Sequence, residues 1–208
     1  IRDVKDFYHS DFKIGILGGG QLGRMFIQEA VNFDVRVHIL EPDANAPCSG
    51  IADKFVQGDI RDYDTVYQFG QTVDVVTIEI ENVNVDALER LQSEGKKVYP
   101  QPEIIRGIQD KGLQKMFYRD HGIPTADFVL IEDDEDLNNN LNFLPCMQKL
   151  RKGGYDGRGV QALKSKEDLS KAFKEPSLLE EFIDFEKELS VIVSRNESGE
   201  TKSFPLVE

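Results

Sequence analysis

Short apolar runs alternate with helical patterns through the first hundred residues, and that alternation limits the possible folds more than any other feature of the chain. The runs are KIGILG (13–18), VRVHIL (35–40), KFVQGD (54–59), VDVVTIEI (73–80) and KKVYP (96–100). Helical stretches fall between them at 21–32, 62–70 and 85–93, and on the first of these Leu22, Met25, Phe26 and Ala30 share one face. Strands separated by helices predict an α/β, doubly wound parallel sheet with right-handed crossovers, a Rossmann-like domain over residues 12–109. Residues 1–11 read as a leader outside that domain, native or appended.

The pattern changes near Pro100 and Pro102. Helices are predicted at 103–109 and 111–121, followed by strand-like DFVLI (127–131), a polar helix at 133–141, and PCMQKL (145–150). GVQALK (159–164), a helix at 166–173 and SLLEEFI (177–183) complete a second, α+β domain over 110–208, with an antiparallel or mixed sheet. The chain begins at Ile1 and ends in the strand-like TKSFPLVE, so the expectation is a piece of a longer protein with its second domain incomplete.

A net charge of −13 argues against a nucleic-acid partner or an anionic membrane surface, both of which need clustered Lys and Arg. Cys48 and Cys146 belong to no C-x-x-C or C-x-x-H pattern, and His9, His38 and His121 lack ligand spacing. Together with the absence of a membrane-length apolar run, this points to a reduced, cytoplasmic setting and to no metal site within the chain.

Gly18-Gly19-Gly20-Gln21-Leu22-Gly23 follows the first strand and is a literal G-x-G-x-x-G. With Glu41 at the end of the second strand it fits an NAD(P)-dependent oxidoreductase, the acid serving a ribose hydroxyl. The glycines equally permit a plain tight turn. Polar Gln21 and Arg24 at the helix start also suit a phosphate- or amine-bearing substrate. This loop alone leaves the three open.

QKLRKGGYDGRGVQAL (148–163) carries four glycines within Gly153–Gly159, between two apolar runs. Ordering so many glycines costs backbone entropy, and what they permit is close approach of N–H groups to phosphate oxygens, with mobility for closure. Lys149 supplies a point cation and Arg158 a forked donor. Further on, Glu180, Glu181, Phe182 and Ile183 form an extended run able to flank an adenine ring. Glu188 is placed to accept from ribose hydroxyls.

A strand Lys, GGYDGRG and EEFI…E in this order resemble the ATP-grasp superfamily. Together with GGGQLGRM, IEIENV (78–83), DK…QK (110–115) and GIPTA (122–126), they resemble its family of 5-(carboxyamino)imidazole ribonucleotide synthases, from about residue 12 onward. The resemblance implies a preATP-grasp domain ahead of an ATP-grasp domain. It implies ATP contacts from Lys111, Lys149, Gly154, Tyr155, Asp156, Gly157, Arg158 and Gly159, adenine contacts from Glu180, Glu181, Phe182 and Ile183, and a ribose contact from Glu188. Lys149 and Arg158 would serve catalysis. Gln21, Leu22, Glu81, Tyr155 and Arg158 would meet the ribonucleotide substrate. It further implies a ligase that uses ATP and Mg2+ to carboxylate 5-aminoimidazole ribonucleotide with bicarbonate in purine biosynthesis, and a homodimer. Magnesium ligands and further substrate-phosphate contacts would lie beyond residue 208. The alternatives are the oxidoreductase and a non-catalytic binding module.

Overall fold

The structure, a computed structural model, describes residues 11–154 and 157–208. The expected leader therefore lies, apart from Asp11, outside the described residues. The first domain runs β1 (Lys13–Leu17), α1 (Gln21–Ala30), β2 (Arg36–Glu41), β3 (Lys54–Gln57), α2 (Tyr63–Gln71), β4 (Val75–Ile78), α3 (Val85–Ser93) and β5 (Lys97–Val98). The five strands form one parallel sheet in the order β3-β2-β1-β4-β5. Order reverses between β1 and β4, which opens a crevice at the carboxyl ends of those two strands.

Both sheet faces are covered, so consecutive strand residues feed two different cores. Ile16, Val37 and Ile39 pack with Ile27 and Ala30 of α1. Leu17, Leu40 and Val76 pack with Val66 and Phe69 of α2 and with Leu88 and Leu91 of α3. Each of these Val, Leu, Ile and Phe side chains stabilises the fold by about 1.5–3 kcal/mol relative to exposure. The helices begin where side chains satisfy their first N–H groups: Asp62 accepts from Thr65 N and Asn84 from Ala87 N, each caps of the expected polar type.

Of the face expected on α1, only Ala30 is buried. Gly23, Ile27 and Ala30 face the sheet, whereas Leu22, Met25 and Phe26 are 65%, 58% and 40% exposed. The reason is the close approach at Gly23, where an added Cβ would lie 3.1 Å from the buried Cys48 Sγ. Glycine lets the helix lie this close to Cys48 beneath the glycine turn. β4 is also shorter than its apolar run, because the chain turns at Glu79 to close over the same glycines.

Helices α4 (Pro102–Gln109) and α5 (Lys111–Asp120) lead out of the first domain and share the single junction residue Asp110. Beyond them lie β6 (Phe128–Ile131), α6 (Asp134–Asn139), β7 (Cys146–Leu150), β8 (Val160–Leu163) and β9 (Ser177–Glu181). These strands form an antiparallel sheet in the order β6-β9-β7-β8. The helix expected at 166–173 is a 3₁₀ segment, Lys166–Lys171, started by a Ser165–Asp168 capping box. Ile131, Cys146, Leu163 and Leu179 build the core on one face. A separate hairpin, β10 (Val193–Arg195) and β11 (Thr201–Ser203), reaches back to the first domain. At its turn the Glu197 carboxylate accepts from the Tyr99 hydroxyl and pairs with the Lys97 ammonium just past and within β5.

Candidate functional site

The loop joining β7 to β8 is closed at its base, where Leu150 N–H donates to Gly159 O over 2.8 Å. Its two arms nearly touch: a Cβ on Gly154 would sit 2.8 Å from Arg158 O, and Gly159 has φ +70°. Side chains at these two positions would force the loop open. Lys111, first residue of α5, donates from Nζ to Gly154 O at 2.9 Å, so a cation is clamped against the loop.

That clamp rests on Asp110. Its Oδ1 accepts from Gly112 N and Leu113 N, capping α5, and both of its oxygens accept from the Arg151 guanidinium at 2.9–3.0 Å. Arg151 also pairs with Glu132, and its carbonyl accepts from Lys111 N–H. Asp110 is 3% exposed. Burial alone would raise its carboxyl, but the Arg151 guanidinium and the cap N–H groups hold it below the usual carboxylate range.

Period-2 alternation puts a second cluster on the sheet face opposite the core. Glu180 stands across from Met147 in β7 and from Phe128 in β6, and Lys149 lies two residues along β7. Lys149 and Lys115, from α5 above the sheet, both close on the Glu180 carboxylate. Lys115 also donates to Thr125 Oγ1 and Ala126 O. Burial pushes Glu180 up, yet the two ammonium groups outweigh it and hold the carboxyl below its usual range.

In the first domain the loop Gly18–Gly20 meets two acids. Glu41 Oε2 accepts from Gly19 N at 2.8 Å and Oε1 from Asp43 N at 3.0 Å. Both carboxylate oxygens thus accept from the backbone and fix Glu41 against the glycine turn. Glu79 fills the notch of the turn: Cβ atoms on Gly18 and Gly20 would approach its carboxylate to 2.9 and 2.6 Å. Below, Cys48 Sγ lies 3.5 Å from Gly20 O, and burial pushes this thiol up, with Glu79 and Glu41 adding to the effect.

The two halves meet at a cavity of about 120 Å³ lined by Glu81, Asn82, Gln109, Lys111, Gly153 and Gly154. Glu81, from the first domain, thereby shares a space with Lys111 and Gly154 from the second. Gln21 and Leu22 are exposed at the start of α1 and do not line it. Gly157 and Arg158 are exposed at the loop tip, and Tyr155 and Asp156 lie outside the described residues. Glu181 ends β9 exposed, Phe182 and Ile183 follow it at 44% and 48% exposure, and Glu188 is exposed outside any strand. Strand β9 thus ends at Glu181, and Phe182 and Ile183 continue beyond its pairing. Sequence reasoning assigned no role to Lys115, Asp110, Arg151 or Glu79. Lys115 was findable, since it follows Lys111 by four residues and shares its helix face. Among the described residues no three His, Cys, Asp or Glu side chains converge to hold a metal ion, and no helix is long and apolar enough to cross a membrane.

Comparison with known proteins matches residues 12–109 to the ribonucleotide synthetase preATP-grasp domain and residues 116–208 to the ATP-grasp domain. The chain is 36% identical over 201 residues to the N5-carboxyaminoimidazole ribonucleotide synthase of Synechococcus elongatus, covering 94% of this chain and 51% of that protein. It is also similar to the crystal structure of carboxyaminoimidazole ribonucleotide synthase from Aspergillus clavatus complexed with ATP. There the TM-score is 0.88 at 36% identity, covering 95% of this chain and 53% of that one. A structure from the same organism in complex with ADP and 5-aminoimidazole ribonucleotide gives a TM-score of 0.81 at 33% identity, covering 95% and 53%. The chain thus spans about half the length of these relatives.

Proposed function

Since the chain belongs to the ATP-grasp family of ligases, with a ribonucleotide-synthetase preATP-grasp domain ahead of its ATP-grasp residues, we propose that its parent protein carboxylates 5-aminoimidazole ribonucleotide with bicarbonate at the expense of ATP. The observation that carries this reading is the closed β7–β8 glycine loop with Lys111 clamped to Gly154 and Lys149 on the adjoining strand.

In this reading ATP lies along β7 and β9. Loop N–H groups and the Lys111 and Lys149 ammonium groups receive its phosphates. Glu180 and the run to Ile183 flank adenine, and Glu188 takes the ribose. Tyr155 and Asp156 complete the loop contacts. A bicarbonate oxygen attacks the γ-phosphorus, the bond to ADP breaks, and carboxyphosphate forms. Loss of inorganic phosphate releases carbon dioxide, which the exocyclic amine of the ribonucleotide captures while giving up a proton to the departing phosphate. Such a transfer depends on in-line positioning and charge neutralisation, which Lys149, Arg158 and fixed amides supply without covalent chemistry. Glu81, across the cavity from Gly154, is placed to meet the ribonucleotide, with Gln21 and Leu22 at the start of α1 on its other side. Loop closure keeps water from the labile anhydride.

ATP is taken up as its magnesium complex in this reading. Among the described residues no three His, Cys, Asp or Glu side chains converge to hold it. The same reading includes a homodimer in the cytoplasm, supported by the resemblance alone; sedimentation of the purified protein tests the dimer. The deciding experiment is release of ADP and phosphate that requires both 5-aminoimidazole ribonucleotide and bicarbonate. Turnover indifferent to either one, or stabilisation by NADH and not by ATP, would overturn the assignment.

A further inference from the structure

Glu180 is held by two lysines of unequal freedom. Lys115 has three acceptors, Glu180, Thr125 Oγ1 and Ala126 O, which match the three N–H bonds of an ammonium group, and its side chain is 12% exposed. Lys149 pairs with the same carboxylate, is 31% exposed, and stands on the strand that enters the glycine loop. One cation is built into the fold, while among the described residues the other has that carboxylate as its partner. A carboxylate that is 9% exposed cannot shed its last counter-ion cheaply.

We propose that Lys115 is a positioning residue for the nucleotide site: by neutralising Glu180 permanently, it releases Lys149 to leave that carboxylate and meet the phosphates when a nucleoside triphosphate binds. The proposal rests on the ATP-binding reading above. It accounts for why two lysines converge on one acid: one cation balances Glu180 while the other is exchanged between protein and ligand. Charged groups facing Glu180 are Lys115 from α5 and Lys149 from β7. Its β6 neighbour Phe128 is uncharged, with the Arg119 guanidinium 5.9 Å from that ring's centroid. With Lys115 removed, departure of Lys149 strands the carboxylate, which then takes up a proton to become neutral.

Titration calorimetry on the purified protein with ATP and with adenosine, which lacks phosphates, tests this. Lys115→Met is expected to weaken ATP about tenfold while changing adenosine by less than about twofold, the cost falling on release of Lys149. ATP binding by that variant should take up a proton, seen as a buffer-dependent heat absent from the unaltered protein. Lys115→Arg should restore affinity. The double variant Lys115→Met/Glu180→Gln carries no stranded charge, so it should bind ATP within about threefold of Glu180→Gln alone. It also keeps the test sound if the single variant folds poorly. Equal losses for ATP and adenosine, no proton uptake, or a double variant no better than Lys115→Met would overturn the proposal. Unaltered protein that binds no ATP would instead remove the reading beneath it.

Discussion

Lys111 does two things with one ammonium group: it holds Gly154 O and offers the loop a positive charge. Lys111→Ala is expected to weaken ATP by roughly tenfold, about 1.4 kcal/mol, with little change in urea midpoint. Asp110 behaves oppositely. Replacing it by Ala leaves the largely buried Arg151 without its bidentate partner and α5 without a cap, and should cost about 3–5 kcal/mol in chemical denaturation. This contrast marks what was legible at the residue scale. Lys149 declares itself as a strand cation leading into a glycine-rich loop, whereas Lys111 is singled out only by the family resemblance. Asp110 and Glu79 do not declare themselves, because their importance comes from partners 41 residues downstream and from a notch made by Gly18 and Gly20. Long-range acid–base pairs and empty Cβ positions have no local signature.

Among the elements, helices α2 and α3 meet where Gly70 faces Leu91, and a Cβ on Gly70 would come within 2.3 Å of Leu91 Cδ1. Gly70→Ala should therefore overpack this contact and destabilise by about 1–3 kcal/mol, read as a lowered thermal midpoint. Gly159→Ala acts on the β7–β8 connection: its left-handed backbone and the 3.0 Å approach to Gly154 Cα predict weakened ATP binding with the sheet intact, checked by titration beside circular dichroism. Element positions were readable from apolar periodicity, since buried parallel strands such as 35–40 leave continuous Val, Ile and Leu runs. Orientation was not. α1 carries a bulky apolar stripe, Leu22–Met25–Phe26, beside the buried Gly23–Ile27–Ala30; the expected face shares only Ala30 with the buried one, and the close approach of Gly23 to Cys48 favours the inward face observed.

For the whole molecule, Asp110 and Glu180 tie the second domain together as ionised groups with depressed pKa values. A carboxylate whose folded pKa lies below its unfolded value contributes stability above the unfolded value, near pH 4, and that contribution is lost as pH falls through the folded one. Urea midpoints should thus hold steady from pH 7 to about 5 and drop below about 4, with Asp110→Asn flattening the acid limb. The first sheet has a different dependence, on the order in which the chain is made. All its strand pairings lie between Lys13 and Val98, and the larger of its two cores draws on nothing beyond Ile105. The crevice at the carboxyl ends of β1 and β4 can then be assembled while the glycine loop at 153–159 is still to be synthesised. The Glu197 clasp on Lys97 and Tyr99 can be made only once the hairpin at 193–203 has been synthesised, well after the strand it fastens.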